Sequence, residues 1–451
     1  MTGMIRANRS WLIVLKYGSI INLMRIVEQL ALFDIESDAK TSTSTTFIDN
    51  MKLPVHRWYR YSAGFSAEWV ISVIQKYSKK GSMILDPFAG SGTTLVAANE
   101  SNLPSIGFET HYFVRRIANN KMCYAVNFER LNKISKKILN SPLSYDFDFE
   151  TQPVLLKKCY TPESLQELNS LKNAFFDIAD DSIESEIIWL TITSILRISS
   201  FAGTAQWQYV LPNKTKKTVL KPKDAFNQKL TEIISDIQLF NKNNINSLAS
   251  IINHDARENL QNYENAFDIL ITSPPYPNNY DYADATRLEM VFWEEIKGWS
   301  DLQGKVRQNL IHSCSQHSAA EKLNLDTILK NTILLPIHDE LTDVCKELEK
   351  VRLEHGGKKT YHTMIAAYYS DLAQVFIALR QVMKDESIIC FVIGDSAPYG
   401  VYAPADEWLG KLALAAGFKS WSFEKTRDRN IKWKNRKHTV PLKEGRLWIR
   451  G

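Results

Sequence analysis

The sequence predicts an α/β fold built on a mostly parallel, doubly wound sheet. Two short apolar runs, Ser82–Asp86 and Ser105–Glu109, each end in an acidic residue, and a glycine-rich turn and a helical pattern separate them. A strand, a tight turn, a helix and a second strand in this order are typical of the start of such a sheet. Ligands of these folds bind beyond the carboxyl ends of the strands, so both acids are expected at that edge.

Hydrophobic spacing predicts the remaining elements of the sheet domain. Residues 65–77 carry apolar side chains at helical spacing, and Ser66 is placed to cap that helix. The other expected elements are a helix at Thr93–Asn99, strands at Leu248–His254 and Phe267–Thr272, a helix at 371–384, a strand at Ile388–Ile393 and a closing strand pair at Phe418–Glu424 and Leu447–Ile449.

These strands fall into three separated stretches of chain, with mainly helical patterns between them. The first 23 residues are either a packed helix or an upstream extension of a chain that starts at Met24. The predicted parts are an N-terminal extension and polar linker (1–46), the first part of the sheet domain (47–110), a mainly helical insertion (111–245), the second part of the sheet domain (246–285), a second helical insertion (286–360) and the last part with a basic C-terminal segment (361–451).

Composition excludes several classes of protein. The 451 residues are 44% hydrophobic and 23% charged, which is ordinary globular usage and argues against disorder or a fibrous repeat. No run of 18 apolar residues occurs, so a membrane span is not expected. The five cysteines are widely spaced without a C-x-x-C pair, which indicates neither a zinc ribbon nor a disulfide framework and favours a reducing, cytoplasmic environment.

The string Asp86–Thr94 (DPFAGSGTT) follows the first strand and opens a helix. Its glycines allow the backbone to approach a ligand, and the free N–H groups of the helix favour a carboxylate or phosphate. The third glycine of a dinucleotide fingerprint and the Gly-Lys-Ser/Thr of a phosphate loop are both missing. Glu109 suits the two hydroxyls of a ribose, and Asp255 is placed to accept from an adenine amino group. An adenosine with a short charged appendage, such as S-adenosylmethionine, fits this set.

The string Thr272–Tyr276 (TSPPY) closes a predicted strand. Two prolines cannot continue a central strand, so they fix a rigid exit whose carbonyl groups stay free as acceptors. Ser273 adds a hydroxyl and Tyr276 a flat face for stacking. Acceptors around an exocyclic amine of a nucleobase release its lone pair for attack, provided the base has left the helix. The expected lining of that base pocket is Asn278, Asn279, Asp281 and Tyr282.

Together the two strings resemble the motifs of the DNA amino-methyltransferases, the family that methylates cytosine N4 or adenine N6 with S-adenosylmethionine. Further matching pieces are His56–Val70, Ile106–Glu109, Asp255 and Ser387–Asp395. The resemblance implies a Rossmann-like fold and double-stranded DNA as partner. It implies a cofactor site formed by Phe65, Ser66, Asp86, Phe88, Gly90, Gly92, Thr93, Glu109 and Asp255, and a catalytic tetrapeptide Ser273-Pro274-Pro275-Tyr276. Many members carry the catalytic motif first, so the position of the target-recognition region stays open.

The first residue of the tetrapeptide bears on the target base. Serine is commoner there among cytosine-N4 enzymes, and aspartate or asparagine among adenine-N6 enzymes, so cytosine N4 is expected and adenine N6 is the alternative. Cytosine C5 chemistry needs a cysteine nucleophile, typically after proline, and no cysteine of this chain follows a proline. An RNA amino-methyltransferase and a catalytically silent DNA-binding module are the further alternatives. The family's usual setting implies a separate cognate restriction endonuclease, and no metal is expected.

Two basic stretches are candidate DNA contacts. Residues 419–451 carry 11 Lys and Arg against three acids, with Trp421 and Trp433 among them, which predicts either a phosphate-tracking surface or a solvated tail. Residues 207–223 hold five lysines and no acid and are expected to form an exposed loop between helices. Gln29–Phe33 resembles a peptide that docks on the sliding clamp, although an apolar helix face is the favoured explanation. His254 and His312 are expected to be structural.

Overall fold

The structure, a computed structural model, describes residues 48–204, 210–278, 281–356, 359–429 and 441–451. Several predictions fall outside these ranges: the N-terminal extension with the clamp-like peptide at Gln29–Phe33, the polar linker, Asn279, and the central part of the basic C-terminal segment. Within the described ranges, none of the helices combines the length and the apolar character that crossing a membrane requires.

The described residues form nine strands and fifteen α-helices. The strands are β1 (Ile84–Asp86), β2 (Ser105–Phe108), β3 (Ala202–Thr204), β4 (Val210–Thr215), β5 (Ala249–Ile252), β6 (Phe267–Thr272), β7 (Met383–Gly394), β8 (Ser420–Arg429) and β9 (Leu442–Arg450). The first eight helices are α1 (Ala67–Tyr77), α2 (Thr93–Glu100), α3 (Tyr112–Lys121), α4 (Phe128–Leu139), α5 (Val154–Lys157), α6 (Pro162–Ile178), α7 (Ile183–Ile195) and α8 (Pro222–Lys242). The others are α9 (Arg287–Phe292), α10 (Leu302–Lys305), α11 (Ser315–Ala320), α12 (Leu325–Leu329), α13 (His338–Glu354), α14 (Tyr361–Val382) and α15 (Ala405–Ala415).

Seven of the strands form one sheet in the order β5-β2-β1-β6-β7-β9-β8. The pairs from β5 to β7 are all parallel, and only β9 runs against its two neighbours. The predicted mostly parallel sheet is therefore confirmed. The chain winds outward from β1 on one side and from β6 on the other, which makes the β1–β6 junction the switch point where ligands of such sheets bind.

Both faces of this sheet are buried. Ile84 and Ile269 pack with helices α1 and α2 on one face, while Leu85 and Leu270 pack with α14 and α15 on the other. Successive side chains of a strand point to opposite faces, so a strand buried on both faces is apolar throughout. This explains why the central strands were visible in the sequence as short apolar runs.

Helix α1 begins where the sequence predicted. Ser66 has an extended backbone, and its hydroxyl oxygen accepts a hydrogen bond from the Trp69 N–H at 3.3 Å. The segment before the helix is held by Asn50, whose side-chain amide donates to the Phe65 carbonyl oxygen at 2.8 Å and accepts from the Ala67 N–H at 2.9 Å. These bonds fix the residues that approach the glycine-rich turn.

The first insertion contains a feature that the sequence prediction missed. Strands β3 and β4 pair antiparallel in a separate two-stranded sheet, within an insertion whose other regular elements are helices. The basic stretch 207–223 is likewise not one loop: residues 210–215 form β4 and α8 begins at Pro222. The sequence of β4, VLPNKT, shows no apolar alternation, and its proline is tolerated because both strands of a two-stranded sheet are edge strands.

The helix predicted at 371–384 is longer and ends earlier than expected. Helix α14 begins at Tyr361 and β7 follows directly at Met383. Nearly every side chain from Tyr361 to Asp371 is buried, so this half of the helix lacks the polar face on which the prediction relied. The first residues of β7, MKDES, are charged and gave no strand signal.

Candidate active site

The glycine-rich turn and the proline-rich string lie side by side at the β1–β6 junction. The Thr272 hydroxyl donates to the Asp86 carboxylate at 2.6 Å, and the Thr94 hydroxyl donates to the Ile271 carbonyl oxygen at 3.1 Å. Asp86 also accepts from the Phe88 N–H at 3.1 Å. Its carboxylate is fully buried, and burial raises its pKa to about 6. Through these bonds Asp86 joins the turn to the strand that carries the tetrapeptide.

Two glycines give the turn its shape. Gly90 has φ +52° and Gly92 has φ +87°, both in the left-handed region that side chains disfavour. A Cβ on Gly90 would lie 3.1 Å from a ring carbon of Tyr61, and one on Gly92 would lie 3.2 Å from the Met122 methyl group. The turn is consequently packed from both sides by aromatic and thioether side chains.

A cavity of about 770 Å³ opens at this edge of the sheet. Residues from both strings line it, which brings most of the predicted site together. The predicted residues on its wall are Phe65, Phe88, Gly90, Thr93, Glu109, Asp255, Ser273, Pro275 and Tyr282. The predicted residues that do not line it, among those the structure describes, are Ser66, Asp86, Gly92, Pro274, Tyr276, Asn278 and Asp281. Tyr61, from the matching piece His56–Val70, lines the cavity as well. So do His111 and Asn309–Ile311, to which no local pattern in the sequence pointed.

Glu109 is oriented by the backbone around it. The Gly90 N–H donates to one carboxylate oxygen at 3.0 Å, and the His111 N–H donates to the other at 2.7 Å. Burial in the cavity wall raises the pKa of Glu109 to about 7, although both N–H groups favour the ionised form. A carboxylate held in this way can accept from a pair of neighbouring hydroxyls, as the ribose role requires.

We expect the affinity for 5′-methylthioadenosine to rise about tenfold between pH 6 and pH 8. Below its raised pKa Glu109 is protonated and offers fewer acceptors to ribose hydroxyls, whereas above that pKa it is ionised and binds them fully. Calorimetric titration across this range measures the effect. Glu109→Gln should flatten the profile and Glu68→Gln, an exposed acid on α1, should not. A wild-type affinity that does not change with pH would contradict this role.

Asp255 lies on the cavity wall but is already paired. Both of its carboxylate oxygens accept from the Arg257 guanidinium, at 2.6 and 3.0 Å, and Arg257 also contacts Asp371 at 3.2 Å. The acceptor capacity left for an adenine amino group is therefore smaller than the sequence suggested. The neighbouring His254 packs edge-on against the Phe108 ring, with the ring centroids 4.7 Å apart.

The tetrapeptide leaves the sheet in a fixed conformation. The Ser273 hydroxyl donates to the Val392 carbonyl oxygen on β7 at 3.3 Å, so its proton points away and its oxygen lone pairs stay available. The Tyr276 N–H donates to the Tyr282 hydroxyl oxygen at 3.0 Å. The guanidinium of Arg429 lies over the Tyr276 ring, 5.1 Å from its centroid. One face of the tyrosine is thus covered by a cation from the C-terminal hairpin.

The second insertion holds the segment that follows the tetrapeptide. Arg307 forms a buried ion pair with Asp281, with Nε and Nη2 at 2.8 and 2.5 Å from Oδ2, and the Trp299 ring covers the guanidinium. The Asn278 N–H donates to the Ser313 carbonyl oxygen at 2.8 Å. The prediction that Asp281 lines a base pocket is corrected accordingly, because its carboxylate is buried against Arg307.

His312, which the sequence assigned a structural role, belongs to a cluster with His317 and Glu321. Its ring nitrogens contact Asp371 at 2.7 Å and Glu321 at 2.9 Å, and His317 contacts the other oxygen of Glu321 at 2.7 Å. The two imidazole rings stack at 4.1 Å with an angle of 20° between their planes. One ligand atom of each of these three side chains lies within 4.8 Å of the others, and the side chains are joined by hydrogen bonds.

In the described residues of the basic C-terminal segment, most of the positive charges form ion pairs with acidic side chains. Six of its described cations pair with acids of the protein: Lys419 with Glu386, Lys425 with Asp428, Arg427 and Arg429 with Glu444, Lys443 with Asp406, and Arg446 with Glu424. The charge excess read from the sequence therefore overstates the positive surface of β8 and β9. Residues 430–440, which carry four of the eleven basic residues, lie outside the described ranges.

Comparisons with known proteins agree with this geometry. Residues 28–120 match the family profile described as DNA methylase. The chain is 26% identical over 416 residues to the Type II methyltransferase M.BsoBI of Geobacillus stearothermophilus, covering 82% of this chain and 80% of that protein. It is 26% identical over 404 residues to the Type II methyltransferase M.AvaI of Nostoc sp., covering 83% and 81%. The profile match and these relatives support a DNA amino-methyltransferase family for the chain, and members of that family use S-adenosylmethionine as methyl donor.

Proposed function

We propose that the chain transfers the methyl group of S-adenosylmethionine to the exocyclic N4 amine of cytosine in double-stranded DNA. The observation that supports this proposal is the single cavity bordered by Gly90 and Glu109 on one side and by Ser273 on the other. The serine in first position of the tetrapeptide favours cytosine N4 over adenine N6. The Type II methyltransferases among the relatives support a setting in which a separate restriction endonuclease cleaves unmodified DNA.

The cavity fits the donor in size and chemistry. Glu109 would hold the ribose, Phe65 and Phe88 would border the adenosine, and the N-terminus of α2 at Thr93 would face the charged methionine end. When bound, S-adenosylmethionine supplies an electrophilic methyl group on a sulfonium sulfur. The protein's part is to hold the acceptor amine in line with that group and to exclude water.

The tetrapeptide would activate the amine by accepting its hydrogens. The lone pair of an exocyclic amine is delocalised into the base, and hydrogen bonds to the Ser273 oxygen and the Pro274 carbonyl would favour a tetrahedral nitrogen. The nitrogen–carbon bond would form as the carbon–sulfur bond breaks, with the electron pair of that bond staying on sulfur, so that S-adenosylhomocysteine is the leaving group. The cationic methylated amine would then release one proton to solvent. No covalent bond to the protein is needed. The target cytosine would have to be extruded from the duplex to reach Ser273.

The full chain expressed in a host without amino-methylated DNA provides the test. We expect N4-methylcytosine after digestion of that DNA, at one sequence context detectable by sequencing of modified bases, and much less of it from cells expressing Ser273→Ala at the same level. N6-methyladenine instead would overturn the choice of base and retain the family. Label incorporated into transcripts in preference to duplex DNA would indicate an RNA amino-methyltransferase. Binding of S-adenosylmethionine without any methylation would indicate a silent DNA-binding module.

A further inference from the structure

A second, smaller cavity of about 240 Å³ adjoins the main one. The two share Tyr61, Gly64, Ser91 and Thr93, so the smaller cavity extends from the glycine-rich turn rather than opening elsewhere on the surface. Its remaining wall comes from Asn50, Met51, His56, Tyr59 and Lys121. The space is too small for an adenosine but suits a group of a few atoms.

Lys121 is the unusual residue in this wall. The residue is 3% exposed, and its ammonium donates one hydrogen bond, to the His56 carbonyl oxygen at 3.1 Å. An ammonium has three N–H donors, so two are left for another acceptor. Among the residues that the structure describes, no carboxylate forms an ion pair with Lys121. Burial, together with the nearby Lys229, lowers its pKa to about 7.

A buried ammonium without a neighbouring anion is unfavourable, and the groups around Lys121 add further positive potential. Buried charges in proteins are normally paired. Here the cavity also receives the N-terminus of α2, whose cap residue Gly92 offers no side chain to its free N–H groups. The hydroxyls of Ser91 and Thr93 lie in the same wall. Every one of these features attracts a negative group.

We propose that Lys121 binds the α-carboxylate of the methionine moiety of S-adenosylmethionine in this smaller cavity. The inference rests on the proposed function, because it assigns the opposite end of the same ligand from the one that Glu109 holds. It adds a residue from α3, 27 positions beyond Thr94 and outside the two motifs. Lys121 is a binding residue for the donor and takes no part in activating the amine.

Several titratable groups surround Lys121 and bear on its response to pH. Lys229 approaches from α8 and adds positive potential, while His56, Tyr59 and Tyr61 form the cavity wall. Glu100, at the end of α2, contacts the His56 ring at 3.5 Å. The carboxylate of a ligand would therefore be the first anion in contact with the ammonium and would raise the pKa of Lys121.

A comparison of two ligands distinguishes the loss of a contact with the α-carboxylate from a general loss of ligand binding. S-adenosylhomocysteine carries the amino-acid end, and 5′-methylthioadenosine has the same adenosine thioether without it. In calorimetric titrations of the full chain, Lys121→Met should weaken binding of S-adenosylhomocysteine about 10- to 100-fold and change that of 5′-methylthioadenosine less than about twofold. Lys172→Met is the matched control: Lys172 is also buried but is paired with Glu294 at 2.6 Å, away from both cavities. It should affect neither ligand.

Proton uptake by the wild-type protein tests the same idea without a substitution. At pH 8 the free Lys121 is largely neutral, so binding of S-adenosylhomocysteine should take up about one proton, measurable in buffers of different ionisation enthalpy. Binding of 5′-methylthioadenosine should take up none. The ratio of the two affinities should fall between pH 7 and pH 8.5. Ionisation of Glu109 affects both ligands alike and cancels in this ratio.

The outcomes are distinct. A selective loss for S-adenosylhomocysteine together with proton uptake supports the proposal. Equal losses for both ligands in a folded Lys121→Met protein, or no loss for either, overturn it while leaving the proposed function intact. Absence of proton uptake by the wild type overturns it even where the variant does not fold. A wild-type protein that binds neither ligand refutes the proposed function, and this assignment with it.

Discussion

Replacing Ser273 with alanine should lower the turnover number for DNA methylation by about 100-fold while changing the affinity for S-adenosylhomocysteine less than about twofold. The hydroxyl proton is directed to the Val392 carbonyl oxygen, so the oxygen is free to accept from the substrate amine. Alanine removes that acceptor and leaves the proline-fixed backbone in place. The donor end of the cavity, around Gly90 and Glu109, is untouched.

Single-turnover transfer of labelled methyl groups into duplex DNA, beside calorimetric titration with S-adenosylhomocysteine, measures both halves of this prediction. Ser135→Ala is the matched control, because Ser135 lies on α4 and its hydroxyl also donates to a backbone carbonyl, that of Asn132 at 3.0 Å. It should leave both quantities unchanged. Unchanged turnover in Ser273→Ala, or a tenfold loss of ligand affinity, would show that the hydroxyl has a different role.

Replacing Arg307 with methionine should lower the free energy of unfolding by about 3–5 kcal/mol. The side chains of Arg307 and Asp281 are 2% and 8% exposed, so removal of the guanidinium takes a contacting positive charge away from a buried carboxylate. The segment after the tetrapeptide should loosen as well, because the pair ties it to the second insertion. We therefore expect a loss of methylation activity at temperatures where the variant is still folded.

Urea unfolding of three variants measures the effect. The double variant Arg307→Met/Asp281→Asn should recover part of the loss, since no buried charge remains. Arg130→Met is the contrasting control: its nearest partner is Asp180, both of these side chains are about half exposed, and such surface pairs contribute about 0–1 kcal/mol. Its second partner, Glu184, lies further away, at 3.6 Å. If Arg307→Met costs no more than Arg130→Met, the buried pair has no special importance for stability.

The parts of the fold that the sequence predicted well are those with a local signal. Strand β6 matches its predicted bounds, Phe267–Thr272, because both of its faces are buried and prolines end it. Helix α1 begins beside Ser66, as its capping pattern indicated. The edge strand β4 and the buried first half of α14 lack such signals, since neither shows the period that amphipathic elements have.

The residues of the site likewise fall into those with a local sequence signal and those without one. Gly90, Glu109 and Ser273 belong to contiguous strings and were named from them, whereas Lys121 depends on packing between α3 and a turn 65 residues away. Asp281 was assigned to a pocket because of its position after the tetrapeptide, and only its partner 26 residues further along the chain shows otherwise. Pairings of this kind depend on tertiary structure and leave no periodic trace in the sequence.

The hydrogen bond between Thr272 and Asp86 connects residues that are 186 positions apart in the chain yet adjacent across two parallel strands. The contact requires β1 and β6 to be neighbours in the sheet, and it does not depend on which of the two strands comes first in the chain. A circularly permuted gene that encoded β6 ahead of β1 would rebuild the same contact. This offers a physical reason why relatives with the opposite motif order can share one architecture, and why permutants with new termini in the first insertion are a reasonable route to engineered forms.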